Sequence, residues 1–127
     1  MRASRRGLIL LAHGARDARW AEPFERLRDL VAARMIAVPV RLAFLELMQP
    51  DLTGAADALV ADGCAALTLV PIFLGQGKHL RRDLPERVAA LATRHPRVAI
   101  TCAAAAGEDE AVLAALADYC VGQFSAS

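Results

Sequence analysis

Four runs of apolar residues, each of strand length, divide the chain at regular intervals. They occupy residues 7–12, 38–45, 67–73 and 98–103, and each is bounded by turn-forming or charged residues. Strands that are apolar on both sides are typical of a parallel sheet buried between helices, because both faces of such a sheet are covered. The pattern therefore predicts four buried parallel strands.

Helical patterns fill the intervals between these runs. Residues 18–34 carry apolar side chains at three- and four-residue spacing, with arginine and glutamate on the opposite side, which is typical of a helix packed on a core. Asp51 is a suitable cap for a helix that reaches Ala61, and Gly63 would then end it. A last amphipathic helix is predicted over residues 108–124.

The helix before the last strand carries its own start signal. Asp83 is followed three residues later by Glu86, the spacing of a capping box, and Pro85 suits the first turn of a helix that begins there. The complete order is βαβαβαβα, without a linker rich in Pro, Gly or Ser. We therefore predict a single α/β domain over residues 1–127, with a four-stranded parallel sheet and helices on both faces.

Composition and net charge limit the classes of molecule that the protein is expected to bind. Hydrophobic residues make up 56% of the chain and charged residues 23%, and fifteen basic against fourteen acidic side chains give a formal charge of +1. Such a chain buries enough apolar surface to fold. Its net charge is too small to produce an electrostatic field that would attract nucleic acid or an acidic membrane surface. We expect neither nucleic acid nor a membrane as a partner.

The N-terminal segment and the cysteines indicate a reduced, cytoplasmic protein. The basic residues 1–6 precede an apolar run that ends at His13, which is too short for an export signal. No stretch approaches the ~18 apolar residues that a membrane span requires. Cys64, Cys102 and Cys120 are an odd number, at spacings that match neither a disulfide framework nor a metal motif. We expect three buried, reduced thiols.

Candidate functional residues follow three of the predicted strands. In a parallel sheet covered by helices, the ligand crevice lies beyond the carboxyl ends of the strands. His13 follows the first strand, Glu46 follows the second, and residues 75–83 follow the third. The topology therefore predicts one shared site at a single edge of the sheet.

The chemistry of this site depends on His13 and His79. Both are predicted to lie in loops that contain glycine, and neutral imidazole is a good ligand for divalent transition metals. A histidine at a strand end serves about as often only to satisfy a loop carbonyl. An acid such as Glu46 is more often a solvated end residue than a ligand or proton acceptor. The convergence of the three residues is what favours a functional site.

The glycines around Lys78 do not complete a nucleotide-binding loop. In a phosphate-binding loop an earlier glycine would fall at Ile72 and a serine or threonine at His79. In a dinucleotide-binding loop the third glycine would fall at Leu80. Neither pattern is met, and we expect no organic cofactor.

Basic side chains near the histidines are candidates for substrate binding. Arginine and lysine pair with the carboxylates of a polyanionic substrate, although arginines at the start of a helix are more often solvated. The residues concerned are Arg16, Lys78, Arg81 and Arg82.

Three segments, in this order and spacing, resemble the short CbiX class of sirohydrochlorin chelatases, relatives of the larger ferrochelatases. The matching segments are LAHGARD at residues 11–17, AFLE at 43–46 with Pro50, and VPIFL at 70–74 leading to GKH at 77–79 and DLP at 83–85. The resemblance covers most of the chain. The chain departs from the family at Ala15, where serine is usual, and at residues 103–106, where a Leu-Gly segment with proline is usual.

The resemblance implies a lyase that inserts a divalent metal, Co²⁺, Fe²⁺ or Ni²⁺, into sirohydrochlorin or a related tetrapyrrole. It implies that His13 and His79 bind the entering metal, that Glu46 assists them, and that two copies pair as a homodimer. Neutral imidazoles bind these ions less tightly than several thiolates would, so the ion can still leave for the macrocycle. A carboxylate can accept the pyrrole protons that metal entry displaces, and the four basic residues would anchor carboxylates of the ring.

Two other functions stay open on the sequence alone. A histidine phosphatase also carries His-Gly after its first strand, but the arginine that precedes its histidine is Ala12 here. A protein that stores or delivers a divalent metal without chemistry would use the same two histidines. Phosphorylation of His13 would indicate the first function, and metal binding without any change in the absorbance of sirohydrochlorin would indicate the second.

Overall fold

The computed structural model describes residues 5–126, so that residues 1–4 of the basic N-terminal segment and residue 127 lie outside the described part. Strands and helices alternate as predicted: β1 (Arg5–Ala12), α1 (Glu22–Arg34), β2 (Val40–Phe44), α2 (Leu52–Ala61), β3 (Cys64–Pro71), α3 (Lys78–Arg94), β4 (Ala99–Cys102) and α4 (Glu110–Ala126). Short 3-10 helices, Ala18–Ala21 and Ala106–Glu108, precede α1 and α4.

The four strands form one parallel sheet in the order β2-β1-β3-β4. In the middle of the sheet, Leu10 of β1 pairs with Leu42 on one side and with Val70 on the other. The edge strand β4 pairs with β3, where Thr68 lies beside Thr101. The predicted four-stranded parallel sheet is confirmed.

Side chains that alternate along β1 belong to two apolar clusters on opposite faces of the sheet. Ile9 and Leu11 pack with side chains of α2 and α3, whereas Leu10 and Ala12 pack with side chains of α1. Full burial of one such large side chain stabilises the fold by about 1.5–3 kcal/mol. This packing explains why the central strands are apolar on both sides, and it confirms that helices lie on both faces.

The predicted start of α3 is wrong. The helix begins at Lys78, after Gly77 in an extended conformation, so Asp83 and Pro85 lie inside the helix and do not form its first turn. Leu80, which precedes the predicted start, is buried in the same core as Leu84. Burial of both leucines on one face favours the earlier start over the capping box, and it moves His79 from a loop into the first turn of the helix.

The other predicted helix starts agree more closely with the structure. Asp51 caps α2 as predicted, since its carboxylate accepts a hydrogen bond of 2.8 Å from the backbone N–H of Gly54. The segment before α1 forms a separate 3-10 turn, which Asp17 caps by accepting from the backbone N–H of Arg19. The Arg19 guanidinium and backbone N–H beside Asp17 lower the pKa of that carboxyl.

The last part of the chain is less buried than its apolar sequence predicts. Cys64 is buried, but Cys102 on β4 and Cys120 on α4 are exposed, so the expectation of three buried thiols is wrong for two of them. No residue of α4 within the described range is buried, and the amphipathic stripe predicted there does not pack on the sheet. Across residues 5–126, no helix combines the length and apolar character needed to span a membrane.

Candidate functional site

The residues singled out after three different strands line one cavity. His13 directly follows β1, Glu46 lies two residues beyond β2, and His79 is the second residue of α3. These three side chains face a cavity of about 210 Å³, whose remaining lining residues are Leu45, Leu80, Asp83 and Arg87. The carboxyl edge of the sheet therefore brings together two imidazoles and a carboxylate that lie far apart in sequence.

Backbone hydrogen bonds continue from the sheet into the site and fix the position of two of these residues. The N–H of Leu45 donates to the carbonyl of Ala12 at 2.9 Å, and the N–H of Glu46 donates to the carbonyl of His13 at 3.0 Å. Gly14 follows with a φ of 105°. A Cβ atom at this position would lie 1.8 Å from the carbonyl oxygen of Glu46. The two segments approach this closely because residue 14 is glycine.

The imidazole of His13 lies against an aromatic ring of the core. Its centroid is 4.9 Å from that of Phe73, with the planes tilted by 49°. His13, Glu46 and His79 are all exposed to solvent, and among residues 5–126 none of them has a hydrogen bond or ion pair with another side chain. Both imidazoles therefore keep their capacity to bind a cation.

Arg87 belongs to this site and was missed by the sequence analysis. Its Nε donates to Asp83 at 2.7 Å, and its Nη1 donates to the carbonyl of Leu45 at 3.3 Å. The guanidinium therefore connects α3 to the end of β2, next to Glu46. His79, Asp83 and Arg87 follow one another at four-residue spacing on one face of α3. That spacing was hidden because the helix was predicted to start at Asp83.

The four basic residues predicted to bind substrate are not all at the cavity. Arg81 lines a separate groove of about 690 Å³ between α3 and the edge strand β4. Arg16, Lys78 and Arg82 are exposed and line neither this groove nor the histidine cavity. Within the described part of the chain, none of the four takes part in an ion pair. All four cations are thus accessible to a negatively charged ligand.

The cavity does not hold a preformed metal cage. Across residues 5–126, no three side chains of His, Cys, Asp or Glu are grouped closely enough to hold a metal ion. A divalent ion bound by His13 and His79 would need further ligands from water, from a substrate or from a second chain. Structural metal sites close the coordination shell with protein ligands, whereas sites that do chemistry leave positions open. Two imidazoles alone would leave part of a coordination shell open.

The CbiX family model matches residues 7–120 of the chain. The chain belongs to the CbiX family. The solved structure of a CbiX protein of cobalamin biosynthesis from Marinobacter aquaeolei is 33% identical, with a TM-score of 0.86, and its alignment covers 96% of this CbiX chain and 99% of that one. A sirohydrochlorin chelatase from Bacillus subtilis subspecies spizizenii, solved in complex with cobalt, is 28% identical with a TM-score of 0.73. That alignment covers 84% of this chain and 45% of the Bacillus chain.

Curated relatives of this CbiX chain carry the names of two related enzymes. The sirohydrochlorin ferrochelatase of Bacillus subtilis is 29% identical over 113 residues, which are 88% of this chain and 43% of the relative. The sirohydrochlorin cobaltochelatase of Methanococcus aeolicus is 28% identical over 79 residues, 62% of this chain and 55% of the relative. The chain spans about half the length of these relatives.

Proposed function

We propose that this CbiX protein is a lyase that inserts a divalent metal into sirohydrochlorin or a related tetrapyrrole, as one domain over residues 1–127. The observation that carries the proposal is the convergence of His13, Glu46 and His79 on one cavity at the carboxyl edge of the sheet. The names of the ferrochelatase and cobaltochelatase relatives support the same reaction.

His13 and His79 hold the entering metal, which is a substrate of the reaction. Neutral imidazoles bind Co²⁺, Fe²⁺ and Ni²⁺ well. Because these two side chains supply only part of a coordination shell, the ion keeps positions at which nitrogen atoms of the macrocycle can replace water. A cage of four protein ligands would instead retain the ion.

Glu46 accepts protons from the macrocycle. Insertion of a divalent ion forms bonds to the ring nitrogens and releases two pyrrole protons. The carboxylate of Glu46 lines the same cavity as the two histidines and is exposed, so it can pass each proton on to solvent. No organic cofactor is needed for this exchange, because no electrons are transferred.

The ring lies across the mouth of the cavity. A cavity of about 210 Å³ is smaller than the roughly 300–1,000 Å³ of pockets that enclose a drug-sized ligand. Leu47 and Leu74, which follow β2 and β3 at this edge, are 61% and 67% exposed and offer apolar contacts to a flat ring. Arg16, Lys78, Arg81 and Arg82 bind the carboxylates at its periphery.

Two copies of the chain assemble as a homodimer in the cytoplasm, and the second copy encloses the ring from its other side. The length of the relatives supports this assembly, because the chain matches 45% of the cobalt-bound Bacillus protein. Two copies together therefore approach the size of one such relative.

An absorbance assay tests the proposal. Purified protein is mixed with sirohydrochlorin and, in parallel, with Co²⁺, Fe²⁺ or Ni²⁺, and the spectral change is compared with the spontaneous rate. We expect a faster change with at least one metal, and the double variant His13→Ala with His79→Ala should lose this excess. Retention of the full excess by the double variant would refute the assigned site. Metal binding without spectral change would identify a delivery protein instead.

A further inference from the structure

Two residues other than glycine, among residues 5–126, have a backbone in the left-handed region. They are Ala37, with a φ of 67°, and Leu47, with a φ of 65°. In this region the Cβ atom comes too close to a carbonyl oxygen, so that only glycine and, to a lesser extent, Asn and Asp adopt it readily. A larger side chain held there needs support from its surroundings, and such positions are frequent at ligand sites.

The turn between α1 and β2 explains the backbone of Ala37. The N–H of Val38 donates to the carbonyl of Met35 at 3.2 Å, which closes a four-residue turn with Ala37 in its third position. A type II turn requires a positive φ at this position. Because alanine carries a single methyl group, the geometry of the turn is a sufficient explanation for residue 37.

Leu47 lies in a tighter turn at the proposed metal site. The N–H of Met48 donates to the carbonyl of Glu46 at 2.8 Å, so that three residues close a turn with Leu47 at its centre. A γ-turn whose central residue has a positive φ is the rare, strained form. This strain lies directly after Glu46, which lines the cavity.

Buried residues on both sides hold the strained turn in place. Leu45 belongs to the apolar cluster shared with α2 and α3, whereas Met48 packs against the cluster shared with α1. The N–H of Glu46 donates to the carbonyl of His13. These contacts fix the residues on either side of Leu47, and so they maintain its left-handed backbone.

The fold gains little from the side chain of Leu47 itself. It is 61% exposed, and it belongs to neither of the two apolar clusters of the described residues. Burial is what makes a leucine stabilising, so this one does not offset the strain of its backbone. Glycine or asparagine would adopt the same conformation at lower cost. A leucine at this position is explained by a contact outside the described chain.

We propose that Leu47 is a ring-contact residue, and that the strained turn holds its side chain against the flat face of the tetrapyrrole beside Glu46. This inference rests on the proposed function and deepens it, because it assigns the strain to recognition of the ring and not of the metal. The conjugated face of a tetrapyrrole is apolar and matches a leucine side chain, whereas a hydrated divalent ion does not. Since Leu47 and Glu46 belong to one turn, contact with Leu47 places the ring at a fixed position relative to the carboxylate.

A titration with sirohydrochlorin in the absence of metal tests this contact. Leu47→Asn removes the apolar side chain and suits the left-handed backbone, and Ala37→Asn is the matched control at the other left-handed position. We expect Leu47→Asn to raise the Kd for sirohydrochlorin about tenfold and Ala37→Asn to leave it unchanged. The factor should be the same at low and high salt, because an apolar contact is not screened. Leu47→Met, which keeps an apolar side chain of similar size, should restore most of the binding.

Further measurements on Leu47→Asn separate a ring contact from a structural role. The midpoint of urea unfolding should stay at or above the wild-type value, because asparagine adopts the left-handed backbone more readily. The affinity for Co²⁺ alone should be unchanged, and light scattering should report the wild-type oligomeric state. In the insertion assay the KM for sirohydrochlorin should rise with little change in kcat.

An unchanged Kd in Leu47→Asn would overturn the inference. A fall in Co²⁺ affinity or in the urea midpoint would also do so, because it would make Leu47 a structural residue of the turn. A change of oligomeric state would assign its side chain to a second copy instead. If Leu47→Asn fails to fold, Leu47→Gly makes the same comparison against Ala37→Gly. A wild type that binds sirohydrochlorin without inserting metal would refute the proposed reaction alone, and the Kd values would still decide the ring contact. One that binds no sirohydrochlorin would refute both.

Discussion

Two groups of histidine and carboxylate side chains lie at opposite ends of this sheet, and only one of them has its polar atoms paired. At the carboxyl end, His13 and His79 face a shared cavity with Glu46. Beyond the other end of α3, His95 is 16% exposed, and its Nε2 lies 2.7 Å from Asp57. The guanidinium of Arg94 donates to both oxygens of the same carboxylate, at 2.6 and 2.8 Å.

The paired group connects two helices. Hydrogen bonds from Arg94 and, secondarily, from His95 lower the pKa of Asp57 to about 2. Asp57 belongs to α2, whereas Arg94 and His95 end α3, so the group holds these helices together. Residue types alone would not separate the two groups, since each contains histidine and an acid. The pairing of the side chains separates them, and it is the unpaired group that we propose as the ligand site.

The largest expected effect is the loss of metal insertion in the variants His13→Ala and His79→Ala. Each removes a proposed ligand, and we expect insertion to fall by at least ~100-fold, because even an outer-shell partner of a metal ligand is worth about 10- to 100-fold. The free energy of unfolding should change by less than about 0.5 kcal/mol, as for other exposed positions.

The matched control for these variants is His95→Ala. It should retain insertion and lose about 1 kcal/mol of stability, the contribution of a hydrogen bond to a partly exposed charged group. Urea unfolding and the absorbance assay, run on all three variants, measure both quantities. If His95→Ala abolished insertion as fully as His13→Ala, the proposed distinction between the two groups would be wrong.

A slightly smaller effect is expected for Glu46→Gln, which keeps the shape of the side chain and removes its charge. As a proton acceptor, Glu46 should contribute about 100-fold to turnover at saturating metal, with little effect on metal affinity. Glu86→Gln on the exposed side of α3 is the control. A fall in metal affinity with unchanged turnover would instead make Glu46 a ligand.

An intermediate effect is expected for Arg87→Met, which removes the link between α3 and the end of β2. Because Arg87 connects two walls of the cavity and is not one of the proposed metal ligands, we expect about a tenfold fall in insertion, mainly through a higher KM for the metal. Arg87→Lys should recover part of the loss. Arg94→Met makes the same change at the other end of α3, and it should lower stability and leave the KM for the metal unchanged.

The smallest effect concerns the pH dependence of stability. The carboxyl of Asp57 has a pKa of about 2 in the folded chain, against about 3.9 in an unfolded chain. Its contribution is therefore fully present above the unfolded pKa and is lost as the pH falls through the folded value. Urea unfolding of the wild type and of Asp57→Asn should differ at pH 6 and converge toward pH 2. Asp29→Asn, beside Arg28 on α1, is the control. A constant difference across this range would contradict the assignment.

The sequence predicted the sheet and the convergence of His13, Glu46 and His79 on one edge of it, because both depend on local pattern and topology. Strands apolar on both sides require two covered faces, and the carboxyl ends of neighbouring parallel strands place His13 beside Glu46. The features that it missed depend on contacts between distant segments. The start of α3 is decided by the burial of Leu80, and Arg87 was missed for the same reason. The pairing of His95 with Asp57 spans 38 residues.

The prediction of an amphipathic last helix failed for a related reason. A pattern of apolar residues indicates that a helix is buried against something, but it does not identify the surface. In this chain the described part of α4 has no buried residue, so the predicted packing of this helix on the sheet is not found there.

The close approach at Gly14 sets a limit for anyone who redesigns this cavity toward a different ligand. Unlike Leu80, which is buried, and Arg87, which connects α3 to the end of β2, the exposed side chains around the cavity can be varied in a library. Position 14 cannot, since the smallest added side chain would meet the carbonyl oxygen of Glu46 at 1.8 Å and the φ of 105° already disfavours one. The spacing between His13 and Glu46 is thus set by the main chain. A change of specificity has to come from the side chains of α3 and from Leu47 and Leu74 at the rim.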